Sequence, residues 1–340
     1  MPKRRVLFVS IILSAAAGFC AFAQTPSLRV PNAKHLSGLS ASPIGHSVLF
    51  YSSTVKNPSD GFTRGKPALA KFGSAEPIQF VSLPSKKEGL GIIAWSHDGN
   101  TAYLQTGNDV YHLDIAANTT SLLINGETVG LALSPDGSRL ALWEPTLQLP
   151  QYFSWRVNRE GVLVVLDIAS MQTLWTWEMS AGFGDNDLEF SSDGNSVYAR
   201  TCCQSSWIME GEGRSDLKRF DLKESSGHRI AKDCVAVTSG NGQVYFVAYE
   251  EKTSALYRIA SRDAAPEKLI SPFPFDGLQS SGTQRWIVAG GRGKKIAILD
   301  SKTHKLSDVD PSCENATVLP DGSVVCSRGA ELFISGHLSQ

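Results

Sequence analysis

The sequence has no excess of either charge: 32 lysines and arginines stand against 33 acidic residues. A polyanion partner needs a basic surface, so nucleic acid is set aside as a ligand class. Beyond the N-terminal residues, no apolar stretch approaches the length of a membrane span. No amphipathic run of helical period is long enough to compete with strands. There is no C-x-x-C pair to wrap zinc, no G-x-S-x-G elbow and no G-x-x-x-x-G-K-[ST] phosphate cradle. "GGRGKK" (290–295) lacks that last frame and reads as a join between two strands.

The first residues read as an address. "MPKRR" is a basic n-region, "VLFVSIILSAAAGF" an apolar h-region, and Ala21-Phe22-Ala23 before Gln24 a cleavage site. Residues 1–23 are therefore expected to be a cleaved signal peptide, and 24–340 a single exported domain, periplasmic or secreted and not membrane-spanning. Cys20 lies near the site, but Phe19 precedes it where a lipobox wants Gly or Ala. Cleavage removes Lys3, Arg4 and Arg5, leaving 29 basic against 33 acidic groups.

Five cysteines remain: Cys202, Cys203, Cys234, Cys313 and Cys326. Export makes disulfides the default reading. Cys313 and Cys326 flank a predicted hairpin, "CENATVLPDGSVVC", and can approach across it. Cys234 could pair with Cys202 or with Cys203, leaving one thiol over.

The organising feature is a turn. In "LALSPDGSRLALW" (131–143), Pro135 and Asp136 suit a tight turn, Gly137 supplies the left-handed residue, and strand formers flank both sides. Related turns occur within 41–53, 95–106, 190–201, 237–249, 279–290 and 319–328, which makes seven. A second hairpin follows most of them, as in "DVYHLDIAANTTSLL" and "KIAILDSKTHKLSDV", with an Asp near the end of its first run. Two hairpins per repeat give four strands, a to d, on the scale of a propeller blade.

The chain ends supply a check. After the last turn come "SVVCSR" and "ELFISG", and the final repeat is one strand short. "SLRVP" (27–31) precedes the first repeat and can supply that strand. The expected fold is all-β: a seven-bladed β-propeller of four-stranded antiparallel blades, closed by an N-terminal strand in the last blade. Closure removes the open sheet edge.

The "SPDG" turns followed by "LD" hairpins resemble the WD40-like family of bacterial exported propellers, of TolB and YVTN type. The resemblance spans nearly the whole mature chain and implies an architecture rather than an activity. No Trp-Asp dipeptide ends a strand here. Some relatives are seven-bladed lactonases, and others are propeller subunits of quinoprotein dehydrogenases. Their catalytic residues find no matching motif in this chain.

Chemistry-bearing patterns are sparse. "SDLK" (215–218) has S-x-x-K spacing without partner motifs and reads as the approach to a strand. "GDND" (184–187) lacks the glycine and distal glutamate of a calcium loop and reads as a solvated turn. The seven histidines show no ligand-like clustering, and His46 and His97 occupy turns. No catalytic residue, metal ligand or cofactor is assigned.

Topology narrows the search. The a–b and c–d turns share one face, and the b–c loops and d–a links share the other. Three b–c loops are long, at 54–67, 144–161 and 203–216, and long loops in a compact domain commonly carry function. Two of them hold Tyr152, Phe153, Trp155, Arg156, Arg159, Trp207 and Arg214, residue types enriched in binding hot spots. Phe183, Asp185 and Asp187, in a d–a link, border the same patch. The expectation is a non-catalytic scaffold binding an exported or envelope protein, or a peptide or glycan, through this face. The alternative is a lactonase-like hydrolase or quinoprotein dehydrogenase-like enzyme with its site at the channel mouth.

Overall fold

The computed structural model of the chain describes residues 27–54, 65–84, 91–107, 109–126, 129–145, 159–181, 188–202, 215–224, 227–251, 253–290 and 295–339. The described residues form strands and turns, with no helix among them. Strand β1 (Ser27–Arg29) precedes a sheet of β2 (His35–Ala41), β3 (Ser47–Ser53), β4 (Lys66–Lys71) and β5 (Ile78–Phe80), paired in that order. The next sheet is β6 (Ile92–Trp95), β7 (Thr101–Thr106), β8 (Asp109–Asp114) and β9 (Thr119–Ile124). It is followed by β10 (Val129–Leu133), β11 (Arg139–Pro145), β12 (Arg159–Asp167) and β13 (Thr173–Ala181).

A seven-stranded sheet comes next. It runs through β14 (Leu188–Phe190), β15 (Ser196–Cys202), β16 (Ser215–Asp221), β17 (Gly227–Gly240), β18 (Gln243–Glu250), β19 (Thr253–Ile259) and β20 (Glu267–Ile270). Strand β17 pairs with β16 from Gly227 to Cys234 and with β18 from Cys234 to Gly240. The last two sheets are β21 (Gly277–Ser280), β22 (Trp286–Gly290), β23 (Ala297–Asp300) and β24 (Leu306–Asp308), then β25 (Asn315–Val318), β26 (Ser323–Arg328) and β27 (Glu331–His337) with β1 on the outside. All pairings are antiparallel, and the architecture is a β-propeller.

The polar residues of the repeated turn fold the turn itself. Ser134 Oγ donates to Asp136 Oδ1 at 2.6 Å and accepts from the Arg139 N–H at 2.9 Å. Asp136 also accepts from the Ser138 N–H, and Gly137 takes a φ of +72°. The same bonds recur with Ser96, Asp98 and Thr101, and with Ser191, Asp193 and Ser196. Two copies depart. At 281–284 Gln284 occupies the left-handed position, and at 240–243 the ladder closes over Asn241-Gly242, a two-residue hairpin.

The apolar core is divided among the inter-sheet spaces. Trp143, Leu163, Val197 and Phe220 fill one such space, and Tyr245, Leu256, Ile287 and Leu299 another. The ring is joined where the ends meet. β1 pairs with β27, and Val30, 1% exposed, enters a core with Leu36 and Leu332. Thr317 Oγ1 accepts from the Ala41 N–H and Asn315 Nδ2 donates to the Leu36 carbonyl, linking the first and last sheets.

Cys313 and Cys326 form a disulfide with a Cα separation of 5.3 Å, which is compatible with an exported protein. Cys202 and Cys234 are not neighbours: both align with Ser215, on either side of it. Two ladder spacings, roughly 10 Å, exceed the Cα distance a disulfide spans. Cys203 lies outside the described residues.

Deleting residues 24–32 should lower the melting temperature by roughly 5 °C or more, because burial of Val30 alone is worth about 1.5–3 kcal/mol. Circular dichroism melts of the two chains measure this; an unchanged midpoint would show that β1 does not secure the ring.

Candidate functional site

The innermost strands enclose an axial cavity of about 350 Å³, with lining contributed by β2, β6, β10, β14, β17 and β21. Its lining side chains are mostly small or apolar, such as Ser40, Ala94, Leu131, Ser239 and Ser281. Glu189 is the single carboxylate among the described lining residues, and it accepts from Thr238 Oγ1 at 3.3 Å. Inner-strand backbone is capped by side chains of other sheets: Trp95 Nε1, from the adjacent sheet, donates to the Ser40 carbonyl, and Gln279 Nε2, from β21, to that of Leu39. At the turn end, Gly282 lies against the Ala41 carbonyl, where a Cβ would come within 1.9 Å.

The strand ends locate the expected binding face. Chain segments 54–65, 146–158 and 203–214 each run from the second to the third strand of a sheet. The equivalent joins after β7, β18 and β26 take two residues each. The strand ends that flank these joins lie at the sheet ends opposite the Ser–Asp turns. Tyr152, Phe153, Trp155, Arg156, Trp207 and Arg214 lie outside the described residues, as do Phe183, Asp185 and Asp187. Arg159 begins β12, aligned with Ala181 at the end of β13; only its backbone is described.

"SDLK" is strand from its first residue rather than an approach to one. Ser215 is buried, and Lys218, three positions on, points to the other face of β16. No acyl-enzyme pair is made there. "GGRGKK" does span the join between β22 and β23.

One constellation is not visible as a histidine cluster in the sequence. Asp221, Glu224 and His228 converge across the turn between β16 and β17, with His228 Nε2 2.6 Å from Glu224 Oε2 and 4.0 Å from Asp221 Oδ2. The spacing D-x-x-E-x-x-x-H was visible in "DLKESSGH", but only the turn brings its members together. Three donor groups at this spacing could hold a cation. Two guanidinium groups are already present, however: Arg262 Nε is 3.0 Å from Asp221 Oδ1 and Arg219 Nη2 is 3.2 Å from Oδ2. Ser196 Oγ donates to Asp221 at 2.5 Å, and Trp177 Nε1 donates to the Glu224 carbonyl at 2.9 Å. The cluster thus clasps β13, the β14–β17 segment and the turn after β19.

Burial pushes the Asp221 carboxyl up, but the Ser196 hydroxyl and the Arg219 and Arg262 charges outweigh it and hold the group below its usual value. On the same face, Ser134 leads the contacts that bring Asp136 down to about 2. A carboxyl whose folded value is depressed stabilises above its unfolded value and loses that contribution as pH falls through the folded one.

No protein-family model matches the chain, and no curated protein matches it. Solved structures do. An oligogalacturonate lyase from Vibrio parahaemolyticus superposes with a TM-score of 0.63 at 12% identity, over 92% of this chain and 94% of that one. A chain titled as part of a mitotic checkpoint complex gives 0.61 at 13% identity, over 99% and 100%. An acylaminoacyl peptidase from Pyrococcus horikoshii gives 0.61 at 10% identity, over 89% of this chain and 52% of that one. At such identities the likeness establishes the propeller fold alone.

Removing the Asp221 side chain, as in Asp221→Ala, should cost roughly 1–3 kcal/mol, because the buried Ser196 hydroxyl and Arg219 lose this partner while the more open Arg262 can turn to water. Urea titrations at several pH values test the cause as well as the size. The gap between the wild type and Asp221→Asn should be full at neutral pH and shrink below about pH 4. A gap independent of pH would mean that the carboxylate charge is not what stabilises.

Proposed function

We propose that the chain is an exported seven-bladed propeller of the TolB-like and YVTN-like kind, acting as a non-catalytic scaffold that binds another exported or envelope protein. The count of seven treats the long sheet as two blades sharing β17, whose halves pair with different neighbours. The five four-stranded sheets supply the rest.

The observation that carries the reading is the asymmetry between the two faces. One face consists of short, internally bonded turns whose polar groups are spent on folding. The other receives the joins of 12 to 13 residues, and two of these bear the aromatic and arginine side chains suited to a hot spot. The mostly small and apolar lining of the axial cavity also favours binding at the rim over chemistry at the centre. A signal peptide ending at Ala23 and the Cys313–Cys326 disulfide fit a location outside the cytoplasm.

Affinity capture from the native exported fraction, with the wild type and a Trp155→Ala/Trp207→Ala double variant as baits, tests this reading. The wild type should retain a protein that the variant loses, with the melting temperature of the variant unchanged. Equal capture by both baits, or an unfolded variant, would mean that these tryptophans pack against the propeller instead. Retention of only a peptide or glycan would replace the protein partner.

A further inference from the structure

Each sheet presents its outermost strand at the rim of the ring, and an exposed strand edge is a template for pairing with another chain. Four of these outer strands are kept short: β1, β5 and β24 have three residues and β20 has four. The rim portion of β17 carries His228, Arg229, Lys232 and Asp233, and two register shifts interrupt its ladder with β16. β9 has six residues and is tied sideways to its neighbour, with Thr120 Oγ1 donating to the Ser82 carbonyl and Asn118 Nδ2 to that of Phe80.

β13 is the least protected: its ladder with β12 shifts register once, at Leu174, and its one sideways tie, Trp177 Nε1 to the Glu224 carbonyl, comes from the core side. It runs for nine residues with a single charge, Glu178, and pairs only with β12 among the described residues. Thr173, Trp175, Thr176 and Trp177 are types that favour strands. Trp177 and Met179 turn into the core between sheets, while Leu174, Thr176 and Glu178 alternate onto the exposed side. Met171 and Leu174, 37% and 39% exposed, are two of the five large apolar side chains left most open to solvent among the described residues.

We propose that this edge is a self-association site, on which β13 of a second copy of the chain pairs antiparallel. The strand is self-complementary by charge. A two-fold centred on Trp177 sets each Glu178 opposite Thr176, and one centred on Thr176 sets it opposite Leu174. Neither brings like charges face to face, and the flanking Leu174 side chains gain cover. The interface lies on the rim, so it leaves the long-join face open in both copies and does not depend on that face binding anything.

Sedimentation of the purified chain across the micromolar range tests the proposal, alongside the double variant Leu174→Asp/Thr176→Asp. With Glu178, that variant sets acid against acid at three positions in the pairing centred on Thr176 and at two in the pairing centred on Trp177. The wild type should show the mass of two chains, falling to one on dilution, and the variant the mass of one throughout with its β circular dichroism retained. Hydrogen exchange on the wild type gives a second readout: amides of 173–181 should slow as concentration rises. A wild type that stays monomeric, a variant that still dimerises, or exchange at 173–181 indifferent to concentration would each overturn the proposal.

Discussion

The structure depends on a ring that must close. Each propeller sheet buries side chains on both faces against its neighbours, so an open ring would leave two apolar faces in water. Closure here is made by chain ends more than 300 residues apart in sequence, with β1 on β27 and Val30 beneath the join. Because this contact is so non-local, the entropy of bringing the ends together must be offset by every sheet already stacked between them. The Asn315 and Thr317 contacts to β2 then fasten the inner strands at the same seam.

Around the ring, local chemistry settles what each polar group is for. The serine, aspartate and glycine of the repeated turn are saturated by one another and by backbone N–H groups, so they form a hairpin lock and not a site. Asp114, Asp167 and Asp300 do the same at the second hairpin, each accepting an N–H of its own turn. Asp221 holds the corresponding position, but its carboxylate is directed to Ser196 and two arginines, turning a local cap into a clasp between blades. The difference lies in Arg219 and Arg262, which come from a strand and from the next turn along.

The fold was legible because its signals are local and repeated. All seven turns foreseen from sequence join antiparallel strands, including the one where Asn241-Gly242 replaces the Ser–Asp lock. The disulfide was legible because its cysteines flank one hairpin. The Asp221–Glu224–His228 cluster was not, since four-residue spacings mean nothing until a turn geometry is fixed. Of the two partners left open for Cys234, Cys202 is set apart for a related reason: only the register shows Ser215 standing between them. The aromatic and arginine residues proposed for binding sit in joins whose composition marks them out, and composition alone cannot supply a geometry for them.

In the function we propose, the two faces of the ring have different work, the short-turn face folding the chain and the long-join face meeting the partner. Site-specific photocrosslinking in the native exported fraction tests this most directly, with a photoreactive residue placed at 155 or 207 on one face and at 98 or 136 on the other. Crosslinks to one discrete partner are expected from 155 and 207, and none from 98 or 136. Crosslinks arising from the turn face, with none from 155 or 207, would contradict this division.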